Sequence, residues 1–276
     1  MSGVPGVTGS EPARAHPQLR AFVAALTFLT RLPVAGAVPH DASDLPAASV
    51  YFPVVGLIVG TAGAIVVTIA SAFWPPTLAI ILSVAFTVWI TGAFHEDALA
   101  DSLDGFGGGW DKAQILAIMK DSRVGSYALV GVLLVIAAKI AALQAIFDRV
   151  SPSGAIEVGR ALVAGHVLGR WSSVILIATH EYVSTPVSNE RPATGRPFVG
   201  GVTTSRLITA TTIALLIVAI ALGRSAFVVI GIAVAVMWLA SRYFRRRIGG
   251  ITGDALGAAN QMVELAVYLT LAARLI

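Results

Sequence analysis

Long apolar runs broken by short polar turns dominate the chain. Seven of them, at about residues 49–70, 77–98, 124–147, 158–180, 207–222, 225–241 and 255–276, approach the length a helix needs to cross roughly 30 Å of hydrocarbon. They predict an all-α, polytopic transmembrane helical bundle of about seven spans. The fifth and sixth runs are joined only by Gly223-Arg224, which predicts a tight hairpin. An earlier apolar segment, Leu19 to Val38, is interrupted by Arg31 and Pro33 and reads as an interfacial or re-entrant N-terminal helix, with a full span as the alternative. Residues 1–18 are rich in Gly, Pro and Ala without an apolar run. They are expected to form a disordered tail, leaving 19–276 as a single integral-membrane domain.

Composition agrees: 56% of the 276 residues are hydrophobic and only 12% are charged. The absence of cysteine excludes a disulfide framework, thiol catalysis and cysteine-ligated metal. The net charge of +4 takes its meaning from placement. With the N-terminus in the cytoplasm, one face receives Arg14, Arg20, Arg31, Lys112, Lys120, Arg123, Arg191, Arg196, Arg206, Arg242 and Arg245 to Arg247. The other receives little beyond Arg149, Arg224 and Arg274. This asymmetry is the positive-inside pattern, so the basic residues orient the protein and do not mark a nucleic-acid partner.

The chemistry concentrates at the end of the second run, in His95-Glu96-Asp97-Ala98-Leu99-Ala100-Asp101-Ser102-Leu103-Asp104-Gly105 and the glycines that follow. Asp97, Asp101 and Asp104 are spaced i, i+4, i+7, so a helix aligns the three carboxylates on one face, with His95 and Glu96 beside them. Like charges so close call for a cation, and Mg²⁺ completed by phosphate oxygens suits the all-oxygen donors. Gly105 and Gly107 to Gly109 are expected to free backbone amides for a polyanion. Lys120-Asp121-Ser122-Arg123 follows on the same face, where Arg123 suits a two-pronged phosphate contact. Of the charges inside the runs, Arg170 is the expected substrate contact, whereas His166 reads as a packing residue. The polar stretch from Thr179 to Phe198 reads as a lid or substrate loop, bringing Arg191 and Arg196 to anionic groups. A second Gly-rich turn puts Asp254 at the mouth of the last run, with Asn260 and Glu264 sharing a face beyond it. Gly253 and Gly257 fit either that turn or close helix packing.

Acid, glycine and arginine reach one membrane surface twice, a pattern suited to moving a phosphorylated group out of a nucleotide diphosphate. A metal would bridge the pyrophosphate, and a carboxylate or His95 would receive the proton of an attacking hydroxyl. No Gly-x4-Gly-Lys-Ser/Thr loop is present.

Six motifs in order carry a specific resemblance: Phe28-Leu29-Thr30-Arg31-Leu32-Pro33, Tyr51-Phe52-Pro53-Val54-Val55-Gly56, Thr91-Gly92-Ala93-Phe94-His95 through Gly105, Met119-Lys120-Asp121-Ser122-Arg123-Val124-Gly125, Gly169-Arg170-Trp171, and Gly249-Gly250-Ile251-Thr252-Gly253-Asp254 through Glu264. From about residue 20 to the C-terminus the chain resembles the cobalamin synthase family, the adenosylcobinamide-GDP ribazoletransferases of bacteria and archaea. The resemblance implies the last assembly step of cobalamin biosynthesis with Mg²⁺ required. Adenosylcobinamide-GDP and α-ribazole, or its 5′-phosphate, would give adenosylcobalamin, or its 5′-phosphate, and GMP.

Taken with the residue reading, the expected catalytic set is His95, Asp97, Asp101, Asp104 and Arg123. Expected substrate contacts are Lys120, Asp121, Arg170, Arg191, Arg196 and Asn260; expected metal ligands are Asp97, Asp101, Asp104, Asp254 and Glu264. Two positions depart from the family pattern: Ala98 stands where glycine is usual, and Gln261 where glutamate is frequent. The second shifts ligand weight to Asp254 and Glu264. Asp101-Ser102-Leu103-Asp104-Gly105 also resembles part of the CDP-alcohol phosphotransferase signature, the nearest alternative, with a transporter behind it. The expected setting is the bacterial cytoplasmic membrane with the site facing the cytoplasm. Beyond substrates and lipid, a homo-oligomer or a complex with other cobalamin-assembly enzymes is the partner expectation.

Overall fold

A computed structural model describes residues 15–273 apart from 35, 37, 39, 151–152 and 184–200. The described chain is helical: α1 (Pro17–Leu29), α2 (Leu45–Ala48), α3 (Phe52–Ala70), α4 (Pro76–Thr91), α5 (Phe94–Gly108), α6 (Lys112–Ile118), α7 (Ser126–Arg149), α8 (Gly154–Thr179), α9 (Thr204–Leu222), α10 (Ala226–Ile248) and α11 (Gly253–Ala272). A single parallel bridge, Tyr182 with Ile251, is its only strand-like pairing among the described residues. The all-α expectation is met. Among the described residues five stretches are long and apolar enough to cross a membrane, and the count reaches six when the bent pair α4 and α5 is taken as one span.

α8 is the axis of the bundle. Gly56 and Gly60 on α3 let the two backbones touch: a Cβ at Gly60 would lie 2.6 Å from the Val163 Cα. On its other side Gly165 and Gly169 admit Tyr268 and Asn260 of α11. α8 therefore buries polar residues along its middle, Arg170 and His166 among them.

Thr204–Ile248, one apolar stretch by composition, is broken at Gly223, where φ is +56°. Leu207, at the start of α9, packs with the Phe52 cluster at one end of the bundle. Leu222 and Ser225 sit with Arg149 and Leu271 at the other end, and Arg247 returns to donate to the Gly109 carbonyl at 2.8 Å. The hairpin expected at Gly223-Arg224 is present. α10 runs seven residues past the expected end at 241, carrying Arg245, Arg246 and Arg247 inside the helix.

The second expected span, 77–98, is corrected. α4 stops at Thr91, and α5 leaves it at 88°. Two successive left-handed residues make the corner, Gly92 at φ +68° and Ala93 at φ +57°. Ala93 is the one non-glycine residue with positive φ among those described, a local strain on the order of 1 kcal/mol. The Arg31 backbone amide braces the corner from outside by donating to the Ile90 carbonyl at 2.8 Å. The Arg31 side chain fills the space a Cβ at Gly92 would need.

Two smaller corrections concern the tail and the glycines. Pro17 and Gln18, assigned by sequence to the disordered tail, begin α1, because proline suits a first helical turn and the His16 imidazole caps the Gln18 amide. Gly105, Gly107 and Gly108 do not form an open loop but continue α5. Gly105 and Gly107 serve packing: a Cβ at Gly107 would lie 2.6 Å from the Tyr127 ring, and one at Gly105 as close to Met119.

Candidate active site

The corner between α4 and α5 lays the acidic helix across one end of the bundle, against the first turns of α11. Ala98 of α5 packs directly on Gly257. That contact brings Asp97 and Asp101 to Asp254, whose own helix is capped by the Thr252 hydroxyl. Asp101 lies in the field of Asp254 and Asp97, and Lys120 opposes them. Lys120 Nζ stands 3.8 Å from Asp254 Oδ2, an oxygen that is buried and has no hydrogen-bond partner. One cation among three carboxylates that lie in one another's field leaves an electrostatic deficit that a further cation would relieve.

A cavity of about 110 Å³ opens beside these carboxylates. Asp97 and Asp254 sit on its lining with His95, Arg170 and Ser173, and three rings, Phe28, Phe52 and Phe94, contribute to its apolar part. Arg170 is 1% exposed, and its Nη1 donates to the His166 carbonyl at 3.1 Å. Its Nε–H has no partner.

Other expected site residues lie elsewhere. Asp104 shares the α5 face but gives both oxygens to the start of α7, accepting from Gly125 at 2.6 Å and Ala128 at 2.9 Å. Arg123 and Asp121 pair with each other at the surface, Arg123 Nε standing 3.0 Å from Asp121 Oδ1. The guanidinium holds the Asp121 carboxyl down at about 2. Glu264 is ten residues into α11 from Asp254, about 15 Å along the axis. It is engaged there by Lys139 at 2.8 Å and by the Tyr268 hydroxyl at 3.0 Å, with His166 at 3.4 Å. Lys139 also donates to Gln261 at 2.6 Å, and Gln261 in turn to Glu96 at 3.1 Å. Two cations, Lys139 and Arg170, and two carboxylates, Glu96 and Glu264, thus share one buried region. Asn260 is fully buried within it. Arg191 and Arg196 lie outside the described residues.

Of the expected site residues, Asp97, Asp101, Asp254, Lys120, His95 and Arg170 lie at this end of the bundle. Sequence reasoning gave no role to Phe28, Phe52, Phe94 or Ser173, although the first three fall within quoted motifs. Among the described residues no three histidine, aspartate or glutamate side chains converge closely enough to hold a metal alone. Magnesium does not demand that, since it is commonly held by one or two carboxylates with water and substrate phosphate supplying the rest.

A polytopic helical bundle with an acidic mouth and a buried arginine cavity at one end is an integral-membrane architecture with a candidate site at that end. Family comparison makes this particular. A family model described as CobS, cobalamin-5-phosphate synthase, matches residues 21–272. The chain is 40% identical over 257 residues to an adenosylcobinamide-GDP ribazoletransferase of Leptothrix cholodnii, covering 91% of this chain and 94% of the relative. It is 39% identical over 256 residues to one of Shewanella frigidimarina, covering 93% and 95%. The chain belongs to the cobalamin-5-phosphate synthase family. No solved structure matches it.

Proposed function

We propose that the protein transfers the adenosylcobinamide-phosphate group of adenosylcobinamide-GDP to a hydroxyl of α-ribazole or its 5′-phosphate, releasing GMP, and that the acidic mouth is where this happens. The observation that carries the assignment of place is the meeting of Asp97 and Asp101 on α5 with Asp254 on α11 beside the Arg170 cavity. In the displacement, the ribazole oxygen forms a bond to the cobinamide-side phosphorus, and the bond from that phosphorus to the GMP phosphate oxygen breaks. Asp97, exposed and on the cavity lining, receives the hydroxyl proton. Lys120 neutralises charge on the departing phosphate. Asp101 and Asp254 are the residues that would hold Mg²⁺. The ion would supply neutralisation of the pyrophosphate when bound.

The same reading places the enzyme in the bacterial cytoplasmic membrane, crossing it seven times with α3, α4, α7, α8, α9, α10 and α11. The hairpin at Gly223 supports that number by dividing the longest apolar stretch in two. The mouth shares its end of the bundle with Lys112, Lys120, Arg206 and Arg245 to Arg247, whereas Arg149 and Arg224 mark the opposite end. That supports a cytoplasmic mouth. α1, which lies against α2 and the start of α3, is read as the interfacial helix.

The test is GMP and cobalamin formation by the full-length protein in lipid or mild detergent, with both substrates, with and without Mg²⁺, beside Asp101→Asn. Metal-dependent product that is lost in the variant is expected. Absence of product from folded wild-type protein with either form of ribazole would overturn the assignment.

A further inference from the structure

The cavity has a built interior that phosphate chemistry does not use. Phe28 and Phe52 lie within 9° of parallel with centroids 6.1 Å apart, and Phe94 meets Phe28 edge-on at 5.3 Å. The three rings come from α1, the start of α3 and the start of α5, so separate elements converge to make one aromatic wall. Besides the carboxylates, the polar residues of the lining are His95, Arg170 and Ser173. A buried guanidinium N–H without a partner is costly, and Arg170 Nε–H is such a group. A ligand acceptor would complete it.

Size selects between the two reactants. A volume of about 110 Å³ is of the scale that takes one small aromatic group, and a corrinoid carrying a nucleotide is far larger. Chemistry narrows the choice further. A benzimidazole riboside presents a flat fused ring with one free ring nitrogen, an acceptor, and no N–H or amino donor on the base. A buried guanidinium donor without a partner, on a lining that also carries three aromatic rings, matches that inventory. A purine riboside brings amino or carbonyl groups and more ring nitrogens, which those rings would leave unpaired.

We propose that this cavity is the ribazole subsite: the base seats among Phe28, Phe52 and Phe94, its free ring nitrogen accepts from Arg170, and the ribose remains at the mouth by Asp97 and Asp254. This rests on the ribazole-transfer reading above. It makes Arg170 a reader of the base and not of phosphate, and leaves the corrinoid nucleotide outside, on the Lys120 side. The attacking hydroxyl is thereby held next to the residue that takes its proton.

Free benzimidazole is the probe. Added to the full-length enzyme during steady-state GMP release, it is expected to compete with ribazole and not with adenosylcobinamide-GDP. Free purine should inhibit at least about tenfold more weakly, the cost of leaving its two additional ring nitrogens unpaired. Phe52→Leu and Arg170→Lys should raise the KM for ribazole about tenfold and leave that for adenosylcobinamide-GDP within about twofold. Competition with the corrinoid nucleotide, absence of inhibition, or an equal effect of purine overturns the proposal, and the wild-type experiment decides this even where a variant fails to fold. Equal movement of both KM values in folded variants overturns it as well. No GMP release by wild type in any substrate combination overturns the transfer reading and this inference with it, a result distinct from active enzyme without base selectivity.

Discussion

Asp104 Oδ2 accepts the Gly125 backbone N–H at 2.6 Å, and its Oδ1 accepts that of Ala128 at 2.9 Å. α7 has no side-chain cap of its own, because its N-cap residue is Gly125. A carboxylate from α5 therefore satisfies two of its orphan amides and complements the positive end of its dipole. The close approach also needs the glycine, since a Cβ at Gly125 would lie 2.6 Å from Asp104 Oδ1. Asp104→Ala is expected to lower stability by about 1–2 kcal/mol, with Asp104→Asn in between. Thermal unfolding in detergent measures this, and an unchanged midpoint in Asp104→Ala would refute the capping role. The Mg²⁺ concentration for half-maximal activity should shift less in Asp104→Asn than in Asp101→Asn.

Ala98 and Gly257 set the distance between α5 and α11. The room for the Ala98 methyl comes from the missing Cβ of Gly257. Gly257→Ala should thus overpack the crossing, costing about 1–3 kcal/mol and pushing Asp254 away from Asp101. Ala98→Gly in the same chain should recover most of the loss. A double-mutant cycle on unfolding midpoints and on activity tests this, and simple additivity of the two changes would contradict direct packing.

The apolar runs made the helices legible because span length is a strong constraint in lipid. The three-carboxylate face of α5 was legible from spacing alone. The 88° corner was not, since hydrophobicity continues across Gly92 and Ala93 and only the backbone angles reveal the turn. The glycines after Asp104 misled because local sequence cannot distinguish a loop glycine from one pressed against Met119 or Tyr127. Gly56 and Gly60 held a readable signal in their four-residue spacing, and it marks the α3 to α8 contact. The cavity rings were hidden for another reason: Phe28, Phe52 and Phe94 are ordinary core residues by pattern, and only tertiary convergence gives them a common surface.

Lys139 and Glu264 form a buried pair at 2.8 Å, each about 4 to 5% exposed at the side chain. Removing one member leaves an uncompensated charge inside the bundle. Lys139→Met should cost about 3–5 kcal/mol, while replacing both residues by apolar ones of similar volume should cost much less. Denaturant unfolding in detergent distinguishes the cases. A double variant as unstable as the single one would show that Tyr268 and Gln261, not the charge balance, carry the effect.

Asp101 and Asp121 are both acidic residues of matched motifs, yet their surroundings assign them different consequences. Asp101 is half-buried among like charges at the mouth; Asp121 is at the surface, already neutralised by Arg123. Asp101→Asn and Asp254→Asn should therefore lower Mg²⁺-dependent GMP release by about 100-fold or more. Asp121→Asn should change it only a few-fold, about the effect of a solvent-screened pair. Chelation should abolish activity of the wild type, and added Mg²⁺ should restore it. A loss at Asp121 as large as that at Asp101 would mean that the Lys120 to Arg123 turn folds over the mouth during the reaction, moving Arg123 from its carboxylate partner onto substrate phosphate.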